Sequence, residues 1–404
     1  MHSRMPVPKP ALLGLFWLGI QMVWGALLGV SLQVRASQLS PHQSLAAYGA
    51  LAVAGAATAA VTQIVVGIIS DRLRANGSRR IEFYAAGSIV AGGALLWFYT
   101  APSFSQLVAS IVAVQIAMNV AIGPYQAVIP DFIPDERMGT ASSWMAALQS
   151  IGNVAGAVTA SFISNARVVG FTLTAALLAT CAGTALHVRR LSLLPATAQP
   201  LRISGAFVDL FISRALVYVG FYTLLGYLYF YVARTMNGNT KTMTGIVLMV
   251  FLAAGAIGAA LAAAPANRMD GRAIATFGGT GFIVALVAFL LSHVLTTVLA
   301  SALIAGVAWG VFLTADWALG CRFLPRHALA TAMGAWNLAL LVPQIVAPLI
   351  ATAVLSSMHS LQSSSGPRIA FVIAAIEVGA GIAWIWRLPA SSASVEKVRA
   401  GNTA

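Results

Sequence analysis

Four charged residues stand where charge is expensive. Arg35, Arg214, Asp316 and Glu377 lie within or against long apolar stretches of the chain, and an ionisable side chain in that setting pairs, binds a solute or carries a proton. Asp316, in Ala315-Asp316-Trp317-Ala318, can take up and release a proton if its surroundings alternate between dry and wet. Its other use is a structural ion pair near a helix end. Glu377 offers the same proton chemistry in the last apolar stretch. Arg214 follows Asp209 by five residues, a spacing that lets one helix face hold both only loosely; it suits a polar solute or a gate. Arg35 closes the first apolar stretch as an interface anchor or part of an outer gate.

Neutral polar and aromatic residues recur at helical spacing. Trp17, Gln21 and Trp24 share a face, as do Gln115, Asn119 and Gln126; Trp144, Gln149 and Asn153 form a third set, and Trp336, Asn337 and Gln344 a fourth. Tyr218 and Tyr222 are one turn apart, and Trp317 follows the acid. Amides bind hydroxyls, and an indole face packs on the apolar face of a sugar ring. The same groups can instead join helix to helix. The substrate-binding candidates are Gln21, Trp24, Gln115, Asn119, Trp144, Gln149, Arg214, Tyr218, Tyr222, Trp317, Trp336 and Asn337; Asp316 and Glu377 are the proton-coupling candidates.

The elements that must position these residues follow from composition. Of 404 residues, 59% are hydrophobic and only 8% charged, against about 25% charged in a soluble domain. The chain cannot furnish a polar surface and belongs in lipid. Uncharged runs of 48, 43 and 41 residues follow Glu82, Arg272 and Arg326; at roughly 20 residues per crossing each is a pair of membrane helices. Barrel strands would be shorter and would alternate. The expected fold is an all-α polytopic membrane protein of twelve transmembrane helices. They fall at 11–34, 44–69, 80–100, 104–130, 139–163 and 168–188, then at 207–232, 242–264, 273–292, 295–320, 329–355 and 368–387.

The net charge of +13 sits in loops, where it marks inward-facing segments rather than a nucleic-acid surface. With the N-terminus inside, the inner loops hold 17 Lys and Arg and the outer loops 5, so both termini are expected in the cytoplasm, in a plasma membrane or, in a bacterium, the inner membrane. There is no nucleotide loop, HExxH pair or His/Cys cluster. An enzyme is not expected, nor is a metal or cofactor. The segment 189–206, with Arg189, Arg190, Pro195, Pro200 and Arg202, is expected as a cytoplasmic linker between a first half, 1–188, and a second, 207–404. Phe132-Ile133-Pro134 before Trp144 is echoed by Phe323-Leu324-Pro325 before Trp336, an offset of 191 or 192 residues. Two six-helix halves related by a repeat form a transporter plan.

Gly67-Ile68-Ile69-Ser70-Asp71-Arg72, followed by Arg79-Arg80, resembles the signature loop of the major facilitator superfamily, and Asn267-Arg268-Met269-Asp270-Gly271-Arg272 its degenerate second copy. Gly123-Pro124-Tyr125-Gln126-Ala127, Ala315-Asp316-Trp317-Ala318 and Trp336-Asn337 are similar to the branch of sugar–cation symporters that includes the sucrose carriers. The resemblance implies pseudo-symmetric halves, alternating access, and a cavity lined by the first, fourth, seventh and tenth helices. It also implies an inner latch at Asp71 and Arg72, to which Asp131 and Arg268 are added as gating residues. Arg79 and Arg80 are expected to anchor against anionic headgroups. Asn267 stands where the second latch would need an acid, and Gln21 where the plant sucrose carriers keep one, so either coupling uses another acid or the carrier is a uniporter. The function implied is secondary active transport of a small polar solute, a sugar or glycoside, with proton or other cation co-transport. The alternative is an exporter of drugs or amphipathic metabolites by proton antiport. Partners are the solute, a proton or other cation, and membrane lipids; a monomer is expected.

Overall fold

The computed structural model describes residues 8–75, 80–126, 128–133, 138–192, 204–323, 329–361 and 363–389. The side chains of Asp71, Arg72, Arg268 and Asn337, and most of the linker, lie outside the described residues. Twelve long helices account for nearly all of the described chain. They are α1 (Pro10–Leu39), α2 (Ser44–Ala75), α3 (Ile81–Thr100), α4 (Phe104–Tyr125), α5 (Met138–Phe162), α6 (Ala166–Val188), α7 (Gly205–Thr235), α8 (Thr240–Arg268), α9 (Gly271–Leu291), α10 (Leu295–Phe323), α11 (Leu329–Ser357) and α12 (Gly366–Trp384). Eleven contain a stretch long and apolar enough to cross a membrane; α5, of 25 residues, completes the expected set. A multi-pass membrane protein is the result.

Three helices differ most from expectation. One of them, α2, expected to end at 69, runs on to Ala75. The predicted helix 104–130 ends at Tyr125, and Val128–Phe132 forms a separate short helix. Pro130 has no N–H to continue the helical hydrogen bonds to carbonyls four residues earlier. The first helix runs to Leu39 and contains one π-helical turn, Leu27–Ser31. A π turn holds one residue more than an α turn and leaves a carbonyl poorly matched; here the buried Gln33 side chain donates to the Leu28 carbonyl at 2.8 Å.

The chain divides into two compact units, Met1–Ala198 and Gln199–Ala404. In the first, the extensive pairings are α1 with α5 and α6, α3 with α4 and α6, and α2 with α4. In the second they are α7 with α11 and α12, α9 with α10 and α12, and α8 with α10. Each pairing recurs six helices later. The closest approaches recur too. A Cβ on Gly87 of α3 would lie 2.7 Å from the Ala121 nitrogen of α4, and one on Gly278 of α9 would lie 2.6 Å from the Phe312 nitrogen of α10. Small residues let membrane helices reach such backbone contact.

Candidate functional site

The densest chemistry lies in the second unit, where α7, α10 and α11 meet one another. Arg214 of α7 and Asp316 of α10 are each only 2% exposed and form an ion pair, Nη1 to Oδ2. The sequence offered Asp209 as Arg214's neighbour; instead Asp209 accepts from the Trp384 indole at 3.1 Å. Arg214 is also held from two sides by rings. Its guanidinium carbon lies 4.9 Å from the Tyr218 ring centroid and 4.3 Å from that of Trp336, both cation–π distances. Arginine suits such a place because its planar cation is weakly hydrated and stacks on aromatic faces. The Arg214 Nε and the Trp336 Nε1 are buried and have no hydrogen-bond partner among the described residues.

From Arg214 a stripe runs along α7. Arg214, Tyr218, Phe221, Leu225 and Leu228 follow at steps of three and four, one face of a helix. Fourteen residues of helix cover about 21 Å. Tyr218 packs on Trp309 of α10 at 5.2 Å, and Phe221 stacks on the same indole at 4.2 Å and 9°. Beyond Phe221 lies a small, wholly apolar cavity of about 20 Å³, lined by Leu224, Leu225, Leu228, Val247, Leu248, Phe251, Phe289 and Ala302 besides Phe221 itself. The stripe thus passes from a charged end through an aromatic wall to a hydrocarbon pocket.

Glu377 of α12 is 9% exposed, and its Oε2 accepts from the Thr223 hydroxyl of α7 at 2.8 Å. Its Oε1 is buried without a hydrogen-bond partner among the described residues. Tyr222 accepts from the Gln344 amide of α11 at 2.9 Å. Trp317 sits beside the acid in sequence but turns outward, 36% exposed.

In the first unit the amides meet one another. Gln21 of α1 donates to Gln149 of α5 at 3.5 Å. Asn119 donates to the Gln115 carbonyl at 2.8 Å and to its side-chain oxygen at 3.2 Å. Trp17, 8% exposed, packs 5.5 Å from Tyr125. Trp24 is half-buried, and Trp144 is 49% exposed. Asp131 forms an ion pair with Arg80, Oδ2 to Nε at 3.4 Å. Arg80, expected to face lipid headgroups, faces this carboxylate instead. Arg35 donates to the Ala101 carbonyl and, at 2.9 Å, to Gln38, tying the end of α1 to the turn after α3. In the second unit Asp270 caps α9 and holds Arg272 at 2.6 Å, a local bond within the first turn of that helix.

Sequence reasoning did not single out Trp309, Thr223 or the Arg80–Asp131 pair. Trp309, between Ala308 and Gly310, carried the only visible signal, a large ring among small neighbours. Among the described residues no group of acids, histidines and cysteines could hold a metal ion.

The comparisons agree with this architecture. Two crystal structures of a bacterial homologue of the human lysosomal transporter Spinster are similar in fold. The inward-facing, unoccupied form gives a TM-score of 0.70 at 16% identity, covering 94% of this chain and 96% of that one. The inward-facing, occupied form gives 0.69 at 17% identity, covering 94% and 97%. At that identity the likeness is one of fold. No curated protein sequence matches. The family model described as Major Facilitator Superfamily matches residues 11–348. With two six-helix units of recurring topology, the chain belongs to the major facilitator superfamily, a transporter of small molecules by secondary active, alternating access rather than an enzyme.

Proposed function

We propose that the transported solute is an amphipathic organic molecule moved in exchange or in company with protons, rather than a sugar. One observation carries the proposal. The face of α7 that begins at the buried Arg214–Asp316 pair continues over Tyr218 and Phe221 to an apolar pocket. A ligand with a polar end and a hydrocarbon body matches that gradient. A sugar would need amides free to meet its hydroxyls. Gln21 and Gln149 are engaged with each other, Asn119 with Gln115, and Gln344 with Tyr222.

The sugar–cation reading retains one support, the run Ala315-Asp316-Trp317-Ala318 with Trp336-Asn337. A single assay separates the two. Protein in liposomes is given a proton gradient of either sign, and movement of a labelled single-chain amphiphile is compared with that of sucrose and maltose. Gradient-dependent movement of the amphiphile and none of the sugars is expected. Accumulation of a sugar with the amphiphile unmoved would restore the sugar reading.

Gating at Asp71, Arg72, Asp131 and Arg268 belongs to the same proposal, as does the orientation with both termini in the cytoplasm. The 17 to 5 distribution of basic residues supports that orientation.

A further inference from the structure

The two members of the buried pair differ in a way that fixes the charge of the ligand. When the Arg214–Asp316 pair opens, each partner must find another way to live in a dry site. Aspartate can take a proton and become neutral, whereas arginine stays charged at every accessible pH. Asp316 therefore needs only a proton, and Arg214 needs another anion. The rings of Tyr218 and Trp336 already hold the guanidinium in place, so it is preorganised while one carboxylate leaves and another anion arrives. Its Nε–H and the Trp336 Nε1–H are buried donors with no partner among the described residues, two further groups suited to an oxyanion.

We infer that Arg214 is the anchor for the anionic headgroup of an amphiphile, a phosphate or carboxylate, and that this anion replaces Asp316 as Asp316 takes up one proton. The inference rests on the amphipathic reading above and adds the sign of the charge and the stoichiometry. The exchange balances: one ion pair is lost and one gained, one proton enters from water onto Asp316, and the site's net charge is unchanged. It commits coupling to movement of proton and anion together, not to antiport.

The groups around Asp316 permit this. From α7, Arg214 and Tyr218 face it. From α9, Arg272 is held by Asp270 and by the Leu388 carbonyl at 2.7 Å. On α8, Lys241 stands at the opposite end of its helix; the side chains of Arg268, the last residue of α8, and of Arg322 on α10 itself lie outside the described residues. Helix α11 carries no charged residue, and on α12 Glu377 is bonded to Thr223.

The test is binding to the full chain in lipid nanodiscs. Dodecyl phosphate, dodecyltrimethylammonium and dodecanol share one chain and differ in headgroup charge. Dodecyl phosphate should bind at least tenfold tighter than the other two. A weakly buffered solution with a pH indicator should lose about one proton per anion bound, after correction for the phosphate's own titration. Asp316→Asn should bind the anion without taking up that proton. The double variant Arg214→Gln with Asp316→Asn, neutral at both positions, should lose the tenfold preference. Equal binding of all three amphiphiles, or anion binding with no proton taken up, overturns the inference and leaves the amphipathic reading standing. Binding of sucrose with none of the amphiphiles bound overturns that reading itself. The wild-type measurements decide the matter even if a variant fails to insert.

Discussion

The Thr223 hydroxyl donates to Oε2 of Glu377 across the contact of α7 with α12, while Oε1 is buried with no hydrogen-bond partner among the described residues. A carboxyl so placed depends on that one hydroxyl. Thr223→Val should therefore cost about 1–3 kcal/mol, the price of leaving a buried polar group unsatisfied, and should lower the melting temperature in detergent by a few degrees. Thr223→Val combined with Glu377→Leu should recover most of the loss, because both partners are then apolar. A double-mutant cycle reads the coupling directly; additive effects would show that the two side chains do not depend on each other.

Breaking the second unit's ion pair from one side should be severe. Arg214→Met leaves the Asp316 carboxylate buried alone, and removing one partner of a buried pair costs about 3–5 kcal/mol. Folded, monodisperse protein should fall sharply. Arg214→Met with Asp316→Leu should restore it, since an apolar pair of similar volume is often neutral. Size-exclusion profiles of the four variants make the comparison, and an undiminished Arg214→Met profile would refute a structural role for the pair.

Two glycines supply a packing test with an internal control. Gly278→Ala places a methyl 2.6 Å from the Phe312 nitrogen, so backbone must move, at about 1–3 kcal/mol. Gly93, on α3, has nothing within 4 Å of the same methyl. Gly93→Ala should leave stability unchanged or raise it by up to about 1 kcal/mol, the helix propensity gain. Thermal melts should order the three proteins Gly278→Ala, wild type, Gly93→Ala.

The proposed inner latch at Asp71 has its own test: Asp71→Asn should slow transport while leaving insertion intact, because the proposed role uses the charge and the helix does not. Transport at the wild-type rate in liposomes would remove Asp71 from the gate.

The pH dependence of binding follows from the proton that Asp316 takes up. Anion affinity should fall as pH rises, by at most about tenfold per pH unit for one coupled proton. Asp316→Asn should flatten that slope. Titration calorimetry between pH 6 and 8 gives it, as ~tenfold steps are within its range.

The helices were legible because charge is rare between their ends, and lipid tolerates little else. The repeat was legible for a similar reason: Phe132 and Phe323 stand 191 residues apart, and so do Gly87 and Gly278, whose identical packing confirms the register. Partnerships were not legible. Arg214 and Asp316 are 102 residues apart, and no local pattern announces which acid meets which base. Helical spacing placed Gln21 and Gln149 on coherent faces, but it is silent on whether two such faces look at a solute or at each other. The π turn at Leu27–Ser31 has no residue type of its own, so nothing in the composition of α1 foretold it.

That π turn sets the phase of everything beyond it. Each residue advances a helix by about 100°, so one inserted residue turns the outer part of α1 by that angle relative to an unbroken helix. Ser31, which reaches Tyr99 at 2.7 Å, and Arg35, which reaches the Ala101 carbonyl, both depend on that turn. Deleting a single residue from Leu27–Ser31 would let the helix close as an ordinary α-helix with Arg35 still on the face of its carbonyl. Deleting one from the regular stretch Leu32–Val34 would instead swing Arg35 about 100° away from it, leaving a cation to be housed on a different face of the same helix. A span that tolerates many substitutions can thus be intolerant of a change in count everywhere except at its π turn.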